Sequence, residues 1–210
     1  MNSRVVIPAY RLVFAVVTIA AIISQAVASF NLGIFRPVNY FSYFTIDSNL
    51  IAVALLLIGV ARWRSTNSPV LDVLRGGGVV YMSVTGVVFT LLLSGVDVDT
   101  QLKWVNTVVH ELMPLVMVAD WLIAPPASRL MLRQGALWLL FPLVWIIYTL
   151  IRGAAINWYP YPFLNPANGG YASVTVYCVG ILVFMLVVCA AVVWLGNLRH
   201  PASGSQVQTA

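Results

Sequence analysis

Six apolar runs divide the chain, at residues 10–30, 41–61, 76–94, 104–123, 135–152 and 172–195. Crossing the hydrocarbon core of a bilayer takes about 20 apolar residues in a helix. The runs are continuous, without the period-two alternation of barrel strands. The pattern predicts an all-α polytopic membrane protein: a bundle of six transmembrane helices over residues 1–200, followed by a disordered polar tail at 201–210. The loops leave no room for a soluble domain, and no internal repeat is visible. The first run also has features of a secretory signal, with Arg4 and Arg11 ahead of it and Ala26-Val27-Ala28 as a possible cleavage site. Its apolar stretch exceeds the roughly 7–15 residues of a signal core, so it is read as the first helix.

Composition agrees with this picture. Hydrophobic residues make up 61% of the chain and charged residues 8%, with a mean hydropathy of +0.93, whereas charged residues form about a quarter of a soluble domain. The net charge of +5 does not suggest nucleic acid, because the basic residues are scattered among short loops. Their placement predicts orientation instead. Eight arginines (Arg4, Arg11, Arg62, Arg64, Arg75, Arg129, Arg133 and Arg199) fall on one side, against Arg36, Lys103 and Arg152 on the other. Both termini are therefore expected in the cytoplasm. Cys178 and Cys189 lie eleven positions apart on the last helix, about 16 Å at 1.5 Å per residue. That is too far for a disulfide, and both are read as apolar filler.

A few polar residues interrupt the runs, and orientation gives them depth. Thr45 sits about one turn into helix 2 and His110 about two turns into helix 4, at similar depth. Ionisable groups are costly in hydrocarbon and usually face a packed interior or a wet cavity. Thr45, Ser48 and Asn49 form one stripe on helix 2, and Asn106 and His110 an i, i+4 pair on helix 4. Pro114 removes the backbone donor that would have served the His110 carbonyl. Arg152 closes helix 5 on the same side, just before the loop Asn157-Trp158-Tyr159-Pro160-Tyr161-Pro162-Phe163-Leu164-Asn165. Asp120 belongs to the opposite end.

A threonine hydroxyl becomes a useful nucleophile when a neighbouring base takes its proton, and a neutral imidazole is such a base. The developing oxyanion needs donors, for which Asn49, Asn106, Arg152 and the Tyr161 hydroxyl are candidates. Glu111 is turned about 100° from His110 and cannot orient it. Asp47 is the nearest carboxylate in depth. Structural roles are equally available. Threonines in membrane helices bond their own carbonyl four residues back, and intramembrane histidines bond neighbouring helices. Arg152 suits an interfacial anchor, and Trp158, Tyr159 and Tyr161 an aromatic belt. Gly76-Gly77-Gly78 fits close helix packing; no lysine follows it, as a phosphate loop would require. Bis-histidine haem ligation needs a second intramembrane histidine, but His200 lies beyond helix 6. No cluster of metal ligands is visible either, so no cofactor is expected.

Three segments together resemble the androgen-induced protein family. They are Tyr43-Phe44-Thr45-Ile46-Asp47-Ser48-Asn49, Asn106-x-x-x-His110 with its following proline, and Trp158-Tyr159-Pro160-Tyr161-Pro162-Phe163-Leu164. The resemblance covers most of the chain, and the wording around Thr45 and the Arg152-Gly153 ending of helix 5 look like the bacterial branch. It implies a six-helix membrane protein in a bacterial inner membrane. It further implies an intramembrane threonine hydrolase of fatty acid esters of hydroxy fatty acids, with Thr45 as nucleophile and His110 as base. The expected partners are a lipid ester and the bilayer, with no nucleic acid. The alternative expectation is a non-catalytic lipid or small-molecule binder, or a transporter.

Overall fold

The computed structural model describes residues 3–65, 68–96 and 101–198, all of which are helical or irregular. The expected tail at 201–210 and His200 lie outside the described residues. Five helices are long and apolar enough to cross a membrane. We label them α1 (Ser3–Asn31), α2 (Phe44–Ala61), α3 (Pro69–Leu93), α5 (Leu132–Ile156) and α6 (Gly170–Asn197). The run expected at 104–123 forms α4, which is assembled from Lys103–Thr107, Val108–Leu112 and Met113–Ile123. The middle piece is a π turn, in which Met113 N–H bonds the Val108 carbonyl five residues back. A second π turn, Phe89–Leu93, ends α3.

The ends follow local chemistry. Ser68 caps α3, its hydroxyl accepting from Leu71 N–H at 3.4 Å, with Pro69 preset for the first helical position. Asn157 stops α5 in the left-handed conformation, φ 53°. Two starts lie seven residues ahead of the hydropathy runs, at Ser3 and Pro69. Arg11 and Arg75 therefore sit inside helices, not in the loops where the charge count placed them.

Helix α3 lies centrally, packing on α2, α4 and α6. Glycines let it approach. A Cβ at Gly76 would run into the Trp138 ring, and one at Gly78 would meet Leu55 and Met117. Most of α5 stands back from this core. Only about a tenth of its membrane-length window is buried, and Phe141 and Trp145 bridge the gap by packing on Phe44.

The bundle has two polar ends. At one, Arg11 donates to Asp120 at 2.6 and 3.2 Å, and Arg75 donates to Asp120 at 2.7 Å and to the Ala124 carbonyl at 2.6 Å. Asp72 completes the group, 3.7 Å from Arg75. All four residues are buried, and two arginines balance two carboxylates. Trp63 and Trp121 cover the guanidinium groups. The other end holds Thr45.

Candidate functional site

The site forms where the first turns of α2 and α4 meet the loop after α5. Thr45 Oγ1 lies 3.2 Å from His110 Nε2 and 3.2 Å from the Tyr161 hydroxyl. Thr45 N–H also donates to the Tyr161 oxygen, at 3.2 Å. All three residues are buried. His110 Nδ1 stands 3.2 Å from the Asn106 carbonyl. A carbonyl can only accept, so Nδ1 carries a proton, and in the neutral imidazole Nε2 is then bare toward Thr45. The bonds therefore run in one direction: Tyr161 O–H to Thr45 Oγ1, and Thr45 O–H to His110 Nε2.

The sequence folds this way because α4 is not a plain α-helix at His110. In its π turn the backbone ladder shifts from four to five residues, a distortion common at functional sites. The His110 ring stacks on Phe89, centroids 4.1 Å apart and planes 15° from parallel. Phe89 opens the other π turn, so the two irregular segments face each other. Gly86 permits the approach, because a Cβ there would sit 3.0 Å from Pro114 and 3.3 Å from the His110 carbonyl. Tyr161 is fixed by a parallel stack on Phe163 at 5.4 Å and by Tyr43.

No family model, no curated protein and no solved structure matches this chain.

The other expected residues fall into place around the pair without all joining it. Asn49 spends both amide hydrogens on carbonyls, of Thr45 at 2.8 Å and Val109 at 3.1 Å. It clamps α2 to α4, and its Oδ1 is buried with no partner. Asn106 acts through its carbonyl, while its side-chain oxygen is also buried without a partner. Ser48, in the same stripe, is buried, its hydroxyl without a partner. Arg152 donates to Asn39 at 2.6 Å and stacks over Trp158 at 4.8 Å; it lines neither cavity at the site. Among the oxyanion candidates, Tyr161 is the one bonded to the Thr45 hydroxyl.

Two cavities meet at Thr45 and Tyr161. One of about 120 Å³ is lined by Gln25, Ser29, Arg36 and Asn39 from α1 and the α1–α2 connection, by His110, and by apolar side chains such as Ile34, Val105 and Val109. The other, of about 550 Å³, is apolar and occupies the gap left by α5 against α2, α3 and α6. Its size lies within the roughly 300–1,000 Å³ of small-molecule sites. Sequence reasoning missed Phe89 and the α1 residues. Gln25 and Ser29, spaced i, i+4 in an otherwise apolar helix and bonded to each other at 3.3 Å, were the available signal. Among the described residues no three His, Cys, Asp or Glu side chains converge to hold a metal ion.

Proposed function

We propose that this chain is an intramembrane threonine hydrolase of a lipid-like ester, with Thr45 as nucleophile and His110 as base. The observation that carries the reading is the 3.2 Å contact between Thr45 Oγ1 and His110 Nε2, within hydrogen-bond reach for proton transfer. His110 takes the hydroxyl proton as Thr45 attacks the ester carbonyl. The Tyr161 hydroxyl, 3.2 Å from Thr45 Oγ1, turns its proton to the oxyanion. His110 then protonates the leaving alcohol, and water releases the acid from the acyl-threonine. The Asn106 carbonyl fills the orienting role that a carboxylate plays in a serine triad.

In this reading α4 counts as a sixth span, both termini lie in the cytoplasm, and the site opens away from it in a bacterial inner membrane. The resemblance to the androgen-induced family supports the same assignment and suggests fatty acid esters of hydroxy fatty acids as the substrate type.

The apolar cavity favours a second reading, a lipid-binding protein without turnover. Transport is less well supported. It needs a path through both ends, and the Arg11–Asp120–Arg75 group fills the far end.

Labelling of purified protein with a fluorophosphonate probe tests the choice. Labelling at Thr45 that is abolished by both Thr45→Ala and His110→Ala, with melting temperature unchanged, supports the hydrolase. An unlabelled but folded wild type leaves only the binding role.

A further inference from the structure

Hydrolysis at Thr45 divides the substrate into an acyl part and an alcohol part, and the two cavities differ enough to assign them. The apolar cavity of about 550 Å³ is walled by Phe44, Val88, Ile146, Leu150, Leu182 and Met185, among others. His110 does not line it. His110 lines the small cavity, beside Arg36 and Asn39. A general acid has to reach the oxygen it protonates, so the leaving alcohol occupies the small cavity and the acyl chain the large one.

Size and charge then narrow the alcohol. A water-sized group takes up about 10–15 Å³ of such space, so a cavity of about 120 Å³ holds a group of about ten non-hydrogen atoms. A second long alkyl chain is not enclosed by it. Arg36 stands exposed at the mouth, and among the described residues it has no ion-pair partner. Among the described residues no carboxylate lines the cavity. A guanidinium with no carboxylate beside it among the described residues suits an anionic oxygen group.

Resting on the threonine-hydrolase reading, but departing from the hydroxy fatty acid leaving group that the resemblance suggests, the geometry points to a substrate whose leaving alcohol is compact and anionic, such as a glycerol phosphate. The bond from the acyl carbon to the alcohol oxygen breaks as the bond to Thr45 Oγ forms. The threonine proton passes through His110 to the alcohol. Water then splits the acyl-threonine into a fatty acid and free Thr45.

The test uses the full-length protein in phosphatidylcholine nanodiscs, with fluorophosphonate labelling of Thr45 recorded first. Oleic acid release is then measured from oleoyl lysophosphatidic acid, monooleoylglycerol and the oleoyl ester of hydroxystearic acid. The first is compact and anionic, the second compact and neutral, and the third has a long leaving group. The expected kcat/KM for the anionic ester exceeds that for the neutral one about tenfold, as one charge-assisted contact supplies, and the hydroxystearate ester is slowest. Arg36→Gln, with melting unchanged, raises KM for the anionic ester and removes its advantage; Arg36→Lys keeps most of it. Fastest release from the hydroxystearate ester overturns the assignment, as does a charge preference that survives Arg36→Gln. Labelling of Thr45 without release from any of the three also overturns it, yet leaves the nucleophile standing. Absent labelling together with absent release removes the hydrolase reading and this assignment with it.

Discussion

Phe89 lies flat against the imidazole of His110 at 4.1 Å, and each belongs to a π turn. The stack leaves the ring two fixed edges, one toward the Asn106 carbonyl and one toward Thr45. Replacing Phe89 by Leu keeps most of the volume and removes the flat partner, whose stacking is worth about 0.5–1.5 kcal/mol. The expected outcome is labelling of Thr45 slowed about tenfold, with a melting curve close to wild type. Time courses of fluorophosphonate labelling check it.

Tyr161→Phe tests the hydroxyl alone, because the stack on Phe163 remains. The Thr45 N–H then loses its acceptor, at a stability cost of about 1–3 kcal/mol for a buried orphan donor. Loss of a preorganised donor to the oxyanion lowers kcat about a hundredfold. KM for a cleaved ester is expected to move little, and steady-state kinetics separate the two.

At the opposite end, Asp120→Asn leaves Arg11 and Arg75 buried without their shared carboxylate. Breaking such a group costs about 3–5 kcal/mol, so the melting temperature falls sharply. Labelling of Thr45, assayed well below the new melting point, stays at the wild-type rate. A matched loss of labelling at low temperature would show that the two ends are coupled.

The apolar cavity gives a prediction in chain length. Ile146→Trp fills part of the gap between α5 and its neighbours. Esters of short acids are expected to become the preferred substrates, with long-chain turnover down about tenfold, the scale of one or two methylenes in an apolar pocket. Competition between octanoyl and oleoyl esters measures it.

Which of these features could be read from sequence follows from what each residue does. Thr45 and His110 stand out because polar side chains are rare in apolar runs, and counting turns from the helix ends puts them at one depth; the fold brings them to 3.2 Å. Asp47 invited the role of third member, but a backbone carbonyl at Asn106 holds the imidazole, and a carbonyl has no signature in sequence. The π turns were equally hidden, since hydropathy is blind to whether a backbone bond spans four residues or five. Charges misled in another way. Arg11 and Arg75 look like helix-flanking residues because a charge ends a hydropathy run, yet both continue inside helices and meet Asp120. The gap beneath α5 depends on how far a helix stands from its neighbours, which no local pattern records.

The π turn in α4 also separates two jobs along a single helix. It accommodates one residue more than a regular ladder would, and one residue is worth about 100° of rotation. His110 and Asp120 are therefore aimed independently, one at Thr45 and the other at the paired arginines. Deleting a single residue from Val108–Leu112 would regularise the helix and close the widened turn that sets His110 against Thr45 and Phe89. Insertions and deletions there should be tolerated far less than substitutions, and the length of this segment, more than its wording, is what the fold has to keep.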